Sequence, residues 1–137
     1  MSSVAVLGAG SWGTTLAVHL AGLGHPVALW DIDGAHLAEL EAHRENRKFL
    51  AGIALPGSIK VQPQLEVALA GADFTLFVVP SHGMRSASER VAATGARSLW
   101  VCAAKGLELG TLKRMTEVLG ETLGDPDPVL LVGPSHA

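Results

Sequence analysis

Val4-Ala5-Val6-Leu7-Gly8-Ala9-Gly10-Ser11-Trp12-Gly13 is an apolar run that breaks into the pattern G-x-G-x-x-G. By itself that glycine spacing is a weak signal. Here it follows a strand-like run and opens a segment, Ser11 to Leu23, in which Leu16, Ala17, Leu20 and Leu23 repeat on one helical face. Strand, glycine turn and helix in that order form the setting a dinucleotide diphosphate needs. Gly8 permits the tight turn, Gly10 lets the backbone approach the pyrophosphate, and Gly13 lets the helix pack on the strand. The helix N-terminus then offers unpaired N–H groups and partial positive charge to an anion. Ser11 is expected to cap that end and to donate to phosphate.

Working outward, strand and helix patterns alternate. Pro26 to Trp30 reads as a second strand and Gly34 to Lys48 as a helix with Leu37 and Leu40 inward. Ala51 to Gln64 reads as a loose segment, with a weak strand at Ile59-Val61 and a short helix near Leu65-Ala70. Phe74 to Val79, Ser98 to Cys102 and Val129 to Val132 read as strands, separated by helices at Gly83 to Thr94 and Thr111 to Leu123. The expected fold is α/β, a doubly wound, mostly parallel sheet of the Rossmann type.

The chain has 137 residues, 48% hydrophobic and 17% charged, with mean hydropathy +0.34. That is one domain's worth of chain, 1–137, rich enough in apolar side chains for a buried parallel sheet. A net charge of −3 gives no footprint for nucleic acid. Apolar stretches of about six residues fall far short of a membrane span. Met1-Ser2-Ser3 carries no basic leader, and a single cysteine, Cys102, excludes an internal disulfide framework. A cytoplasmic location is expected.

Candidate site residues gather at strand ends. Asp31 closes the second strand 18 residues after Gly13, near the spacing of an acid that binds ribose hydroxyls. A carboxylate there repels a 2′-phosphate, so NAD is favoured over NADP. Asp33 competes for that role, Ile32 could flank the adenine, and both aspartates could instead cap the next helix. Pro80-Ser81-His82, Lys105-Gly106 and Gly133-Pro134-Ser135-His136-Ala137 follow three further strands. Lys105 is the main chemical candidate, a lone cation placed to hold an oxyanion or phosphate. His36 and His43 share a helix seven residues apart, too far for a metal clamp. They read as surface residues, and no metal site is expected. Cys102 reads as a small buried hydrophobe.

The segments Gly8-Ala-Gly-Ser-Trp-Gly-Thr-Thr-Leu-Ala17, Asn46-Arg-Lys-Phe-Leu50, Val79-Pro-Ser-His82, Ala104-Lys-Gly-Leu-Glu108 and Gly133-Pro-Ser-His-Ala137 together resemble NAD(P)-dependent glycerol-3-phosphate dehydrogenase of the bacterial type. The resemblance implies hydride transfer between NAD(P)H and dihydroxyacetone phosphate to give sn-glycerol 3-phosphate for phospholipid synthesis. It implies that Ser11, Trp12 and Ile32 contact the dinucleotide, with the nicotinamide near Pro80. Lys105 would touch cofactor and substrate, as the catalytic side chain of this domain. Gly133 and Ser135 would lie at the substrate, and Ala137 at the cofactor. It further implies a helical C-terminal catalytic domain absent from this chain, so that the chain alone should turn over negligibly. A homodimer of the full-length form stays open. Two other readings also stay open: another two-domain NAD(P)-dependent hydroxy-acid dehydrogenase, and an NADH-binding sensor without catalysis.

Overall fold

The computed structural model describes residues 1–125 and 127–133. Its elements are β1 (Val4–Leu7), α1 (Ser11–Gly22), β2 (Val27–Trp30), α2 (Gly34–His43), β3 (Glu45–Asn46), β4 (Leu50–Ala54), β5 (Ile59–Val61), α3 (Leu65–Leu69), β6 (Phe74–Phe77), α4 (Met84–Thr94), β7 (Leu99–Cys102), α5 (Met115–Leu123) and β8 (Val129–Leu130). A 3-10 turn, Ser81–Gly83, leads into α4.

Six strands form one parallel sheet in the order β5-β2-β1-β6-β7-β8. The chain builds outward from β1 through β2 to β5. It then crosses back and builds outward the other way from β6. Between β1 and β6 the winding therefore reverses, which is where a sheet of this kind is expected to bind its ligand, beyond the carboxyl ends of the strands. Right-handed crossovers put α1 and α2 on one face, and α3, α4 and α5, which pack together, on the other. Because both faces are covered, β1 is buried along its whole length, and Phe77, Leu29, Met84, Val118 and Leu119 are fully enclosed. Each such side chain contributes about 1.5–3 kcal/mol of transfer free energy. Trp30, Trp100 and Cys102 lie in this core, as the apolar runs around them require.

Three local expectations need correcting. The helix expected to run to Lys48 ends at His43, and Arg44 caps it in the left-handed region at φ 50°. After Leu37 and Leu40 the next inward positions are His43 and Arg44, which offer no apolar surface to bury. β3, inside the segment read as helix, pairs antiparallel with β4, which runs into the segment read as loose. The Arg44 guanidinium donates to the carbonyls of Pro56 and Ile59, which ties this hairpin to β5. The helix expected from Thr111 begins only at Met115. Leu112 is exposed with φ 59°, and residues 105–114 instead fold back on themselves through a Leu107–Arg114 bridge.

Candidate functional site

The turn after β1 is fixed by close approach. Gly8 has φ 118°, and a Cβ placed on it would stand 2.6 Å from the Val78 carbonyl oxygen. A Cβ on Gly13 would stand 1.8 Å from the Gly8 carbonyl oxygen. Hydrogen at both positions lets α1 seat directly on the end of β1, beside the end of β6. Gly10 is the N-cap of α1, and no side chain caps the helix. Ser11 is the first helical residue rather than its cap, and its carbonyl accepts from the Thr15 hydroxyl. The first turn of α1 carries no acidic side chain, so nothing on the helix itself offsets the positive end of its dipole.

Around this turn stand the other strand ends. Asp31, just past β2, accepts from the Ala9 N–H at 2.7 Å and from the Asp33 N–H at 2.9 Å. Asp33 caps α2 by accepting from the His36 N–H. Of the two aspartates, therefore, only Asp33 caps that helix. Ile32 between them is 62% exposed. Pro80 precedes the 3-10 turn beyond β6. A Cβ on Gly106 would lie 3.3 Å from the Ser81 Cβ, so the turn after β6 and the loop after β7 adjoin.

A cleft of about 860 Å³ opens beside α1. Trp12, Ala104, Lys105, Arg114, Leu131 and Gly133 are among the residues that line it. The structure thus brings residues far apart in sequence, Trp12, Lys105 and Gly133, to one cavity. Gly8, Gly10, Ser11 and Gly13 lie on the turn that delivers Trp12. Ser135 and Ala137 lie outside the described residues. Trp12 is 50% exposed, an indole face held over the cleft. Lys105 is exposed and makes no ion pair among the described residues. The arrangement offers an anion a helix N-terminus and a free ammonium, and offers a planar ring system apolar surface.

Several contributors escaped sequence reasoning. The loop that carries Lys105 is anchored by Glu108, which accepts two hydrogen bonds from Arg85 on α4, at 2.7 and 2.9 Å. Arg85 also donates to Glu121, which pairs with Lys113. The Arg85 guanidinium and the Thr111 hydroxyl hold the Glu108 carboxyl down at about 2, from an ordinary 4.5. Its stabilising contribution is present in full above pH 4.5 and is lost as pH falls toward 2. Urea melts of the protein from pH 5 down to pH 2 should lose stability more steeply than those of Glu108→Gln. Equal slopes would show that the pair does not stabilise the fold. Arg114 is a second cation on the cleft, paired with Glu117 across the start of α5.

His36, expected at the surface, is only 9% exposed, with Nε2 2.8 Å from the Ala9 carbonyl oxygen. Asn46, fully buried, donates from Nδ2 to the Ala9 carbonyl and to the Thr14 hydroxyl. An Asn within a segment read as helix was the available signal. Its side chain competes with the backbone there and favours a turn instead. Its Oδ1 accepts from the Phe49 N–H. Cys102 is buried, and desolvation raises its thiol pKa, which disfavours the thiolate. No helix among the described residues is long and apolar enough to cross a membrane.

Comparison with known proteins matches this geometry. The family model described as NAD-dependent glycerol-3-phosphate dehydrogenase N-terminus matches residues 3–137. Glycerol-3-phosphate dehydrogenase [NAD(P)+] of Thermoanaerobacter sp. is 42% identical over 98% of this chain and 40% of its own length. The Geobacillus kaustophilus protein of the same name is 42% identical over 100% of this chain and 41% of its own. The crystal structure of glycerol-3-phosphate dehydrogenase from Coxiella burnetii superposes with TM-score 0.82 at 33% identity, covering 90% of this chain and 38% of that one. The chain thus spans about two fifths of the length of these relatives. With nearly every residue matched and the strand-end cleft in place, this chain belongs to the NAD-dependent glycerol-3-phosphate dehydrogenase family, as its N-terminal region.

Proposed function

We propose that this chain is the cofactor-holding domain of an enzyme that interconverts dihydroxyacetone phosphate and sn-glycerol 3-phosphate. The observation that carries the proposal is one cleft bordered by both Trp12, on the glycine turn, and Lys105, on the loop after β7. The residues fit a dinucleotide. The glycine turn rejects a Cβ at Gly8 and Gly13, and the first turn of α1 repels no phosphate. When bound, NAD(P)H supplies a hydride to the carbonyl carbon while a proton reaches the carbonyl oxygen. Gly8, Gly10, Ser11 and Gly13 seat the diphosphate at the start of α1. Trp12, Ile32 and Pro80 present apolar surface to the rings. Lys105 holds the substrate's oxyanion or phosphate and touches the cofactor, and the family resemblance assigns Gly133 and Ser135 to the substrate and Ala137 to the cofactor. The general base comes from a second, helical domain, and the full-length form acts in the cytoplasm.

Dihydroxyacetone phosphate titrated into the full-length protein with cofactor present is the test. Saturable binding supports the proposal. No binding rejects it in favour of another hydroxy-acid dehydrogenase or an NADH sensor.

Asp31 sets the cofactor preference in this reading. Its oxygens each accept one backbone N–H, which holds the carboxylate in place and leaves lone pairs for ribose hydroxyls. A 2′-phosphate would meet that negative charge. Calorimetry should give NADH at least about tenfold tighter binding than NADPH, the scale of one lost charge-assisted contact. Equal affinities would remove Asp31 from this role.

A further inference from the structure

The peptide between Ala9 and Gly10 is held in an unusual way. Its carbonyl oxygen, on Ala9, accepts from Asn46 Nδ2 at 2.9 Å and lies 2.8 Å from His36 Nε2. A carbonyl only accepts, so that histidine nitrogen carries a hydrogen. The Ala9 N–H is taken by Asp31. Ala9, His36 and Asn46 are all buried. The Gly10 N–H, at the other end of the same peptide, bonds to nothing among the described residues. The Ala9–Gly10 peptide is trans, so this N–H points away from the carbonyl that His36 and Asn46 fix. Beside Gly10 the space is open, with nothing within 4 Å of a Cβ built there.

We infer that Asn46 and His36 are positioning residues for the cofactor diphosphate, which clamp the Ala9 carbonyl so that the Gly10 N–H is aimed at the anion and polarised toward it. The inference rests on the proposal that the glycine turn seats a dinucleotide. Two donors on a carbonyl strengthen the N–H of the same peptide as a donor, because hydrogen bonds in a chain polarise one another. They also fix the peptide plane, which a turn containing Gly8 and Gly10 would otherwise leave free. The β3–β4 hairpin thereby serves the site from behind: it carries Asn46, and Asn46 also holds Thr14 on α1.

The test is equilibrium binding of NADH, and of adenosine as a probe without phosphate, to the full chain. Asn46→Asp keeps the shape and the Phe49 contact but replaces the donor with an acceptor. His36→Leu removes the other donor, and His36→Gln restores an N–H near the place of Nε2. Asn46→Asp and His36→Leu should each weaken NADH about tenfold. Adenosine binding should stay within twofold, and His36→Gln should recover most of the NADH affinity. Should Asn46→Asp fail to fold, the two His36 variants decide the matter. NADH affinity within twofold of wild type in His36→Leu, or equal losses for NADH and adenosine, would overturn the clamp. Failure of the unsubstituted chain to bind NADH would overturn the cofactor proposal instead.

Discussion

Gly13→Ala should destabilise the domain by about 3 kcal/mol or more, the upper range for overpacking. The added methyl would sit 1.8 Å from the Gly8 carbonyl oxygen and 2.9 Å from its carbon. Both are backbone atoms at the end of the central strand, so no rotamer change relieves the contact. The first turn of α1 has to lift from β1, and Thr14 and Ala17, both fully buried, lift with it. A domain of this size has only about 5–15 kcal/mol to lose. Urea denaturation should show a markedly lower midpoint, and a midpoint within experimental error of wild type would refute the packing argument. Gly10→Ala makes the informative contrast. Its φ is −77°, and the added methyl meets no atom within 4 Å. Stability should change by no more than about 1 kcal/mol, the helix-terminus scale. NADH binding should nonetheless weaken severalfold, because the methyl occupies the space through which the diphosphate reaches the backbone. One substitution thus damages the fold and the other only the site.

Lys105→Ala should weaken dihydroxyacetone phosphate binding to the full-length protein by about 30- to 100-fold, the loss of one charge-assisted contact of roughly 2–3 kcal/mol. The domain itself should melt as before. Lys105 is exposed and pairs with no acid among the described residues, so its removal leaves no buried group unsatisfied. Arg85→Leu provides the comparison. It leaves Lys105 in place but removes the two Arg85 hydrogen bonds to Glu108, three residues further along the loop, and leaves that carboxylate the Thr111 hydroxyl alone among its side-chain partners. A loop that holds Lys105 less firmly should cost substrate affinity severalfold. It should also lower stability, because the Glu108 carboxylate, largely enclosed, loses its guanidinium partner. Unchanged phosphate affinity in Lys105→Ala would place the anion elsewhere on the cleft, with Arg114 the next cation along its wall.

The alternation of apolar runs with glycine and helical periods was enough to read the parallel sheet and its order of strands and helices. Periodicity reports which face of an element is buried, and the strands of the main sheet are short and mostly apolar, Lys60 in β5 and Thr75 in β6 being the exceptions. The glycine turn was legible for another reason: its spacing is a local pattern that follows an apolar run, although only Gly13 answers to a near neighbour, Gly8, while the contact that demands Gly8 is with Val78, from the far side of the central pair of strands. What stayed hidden depends on contacts between distant segments. Asn46 folds inward to reach Ala9 and Thr14, 37 and 32 residues away. His36 turns to the same carbonyl from 27 residues away. Arg85 finds Glu108 across 23. A polar side chain carries no periodic mark of burial. Whether it faces water or completes a buried network is settled only when the helix or hairpin that bears it is packed against its partner. The sequence by itself determined the scaffold and the glycine turn at the end of its first strand. The tertiary structure alone decided which polar side chains hold that turn and the Lys105 loop in place, because hydrogen bonds need a distance and an angle that no local pattern encodes.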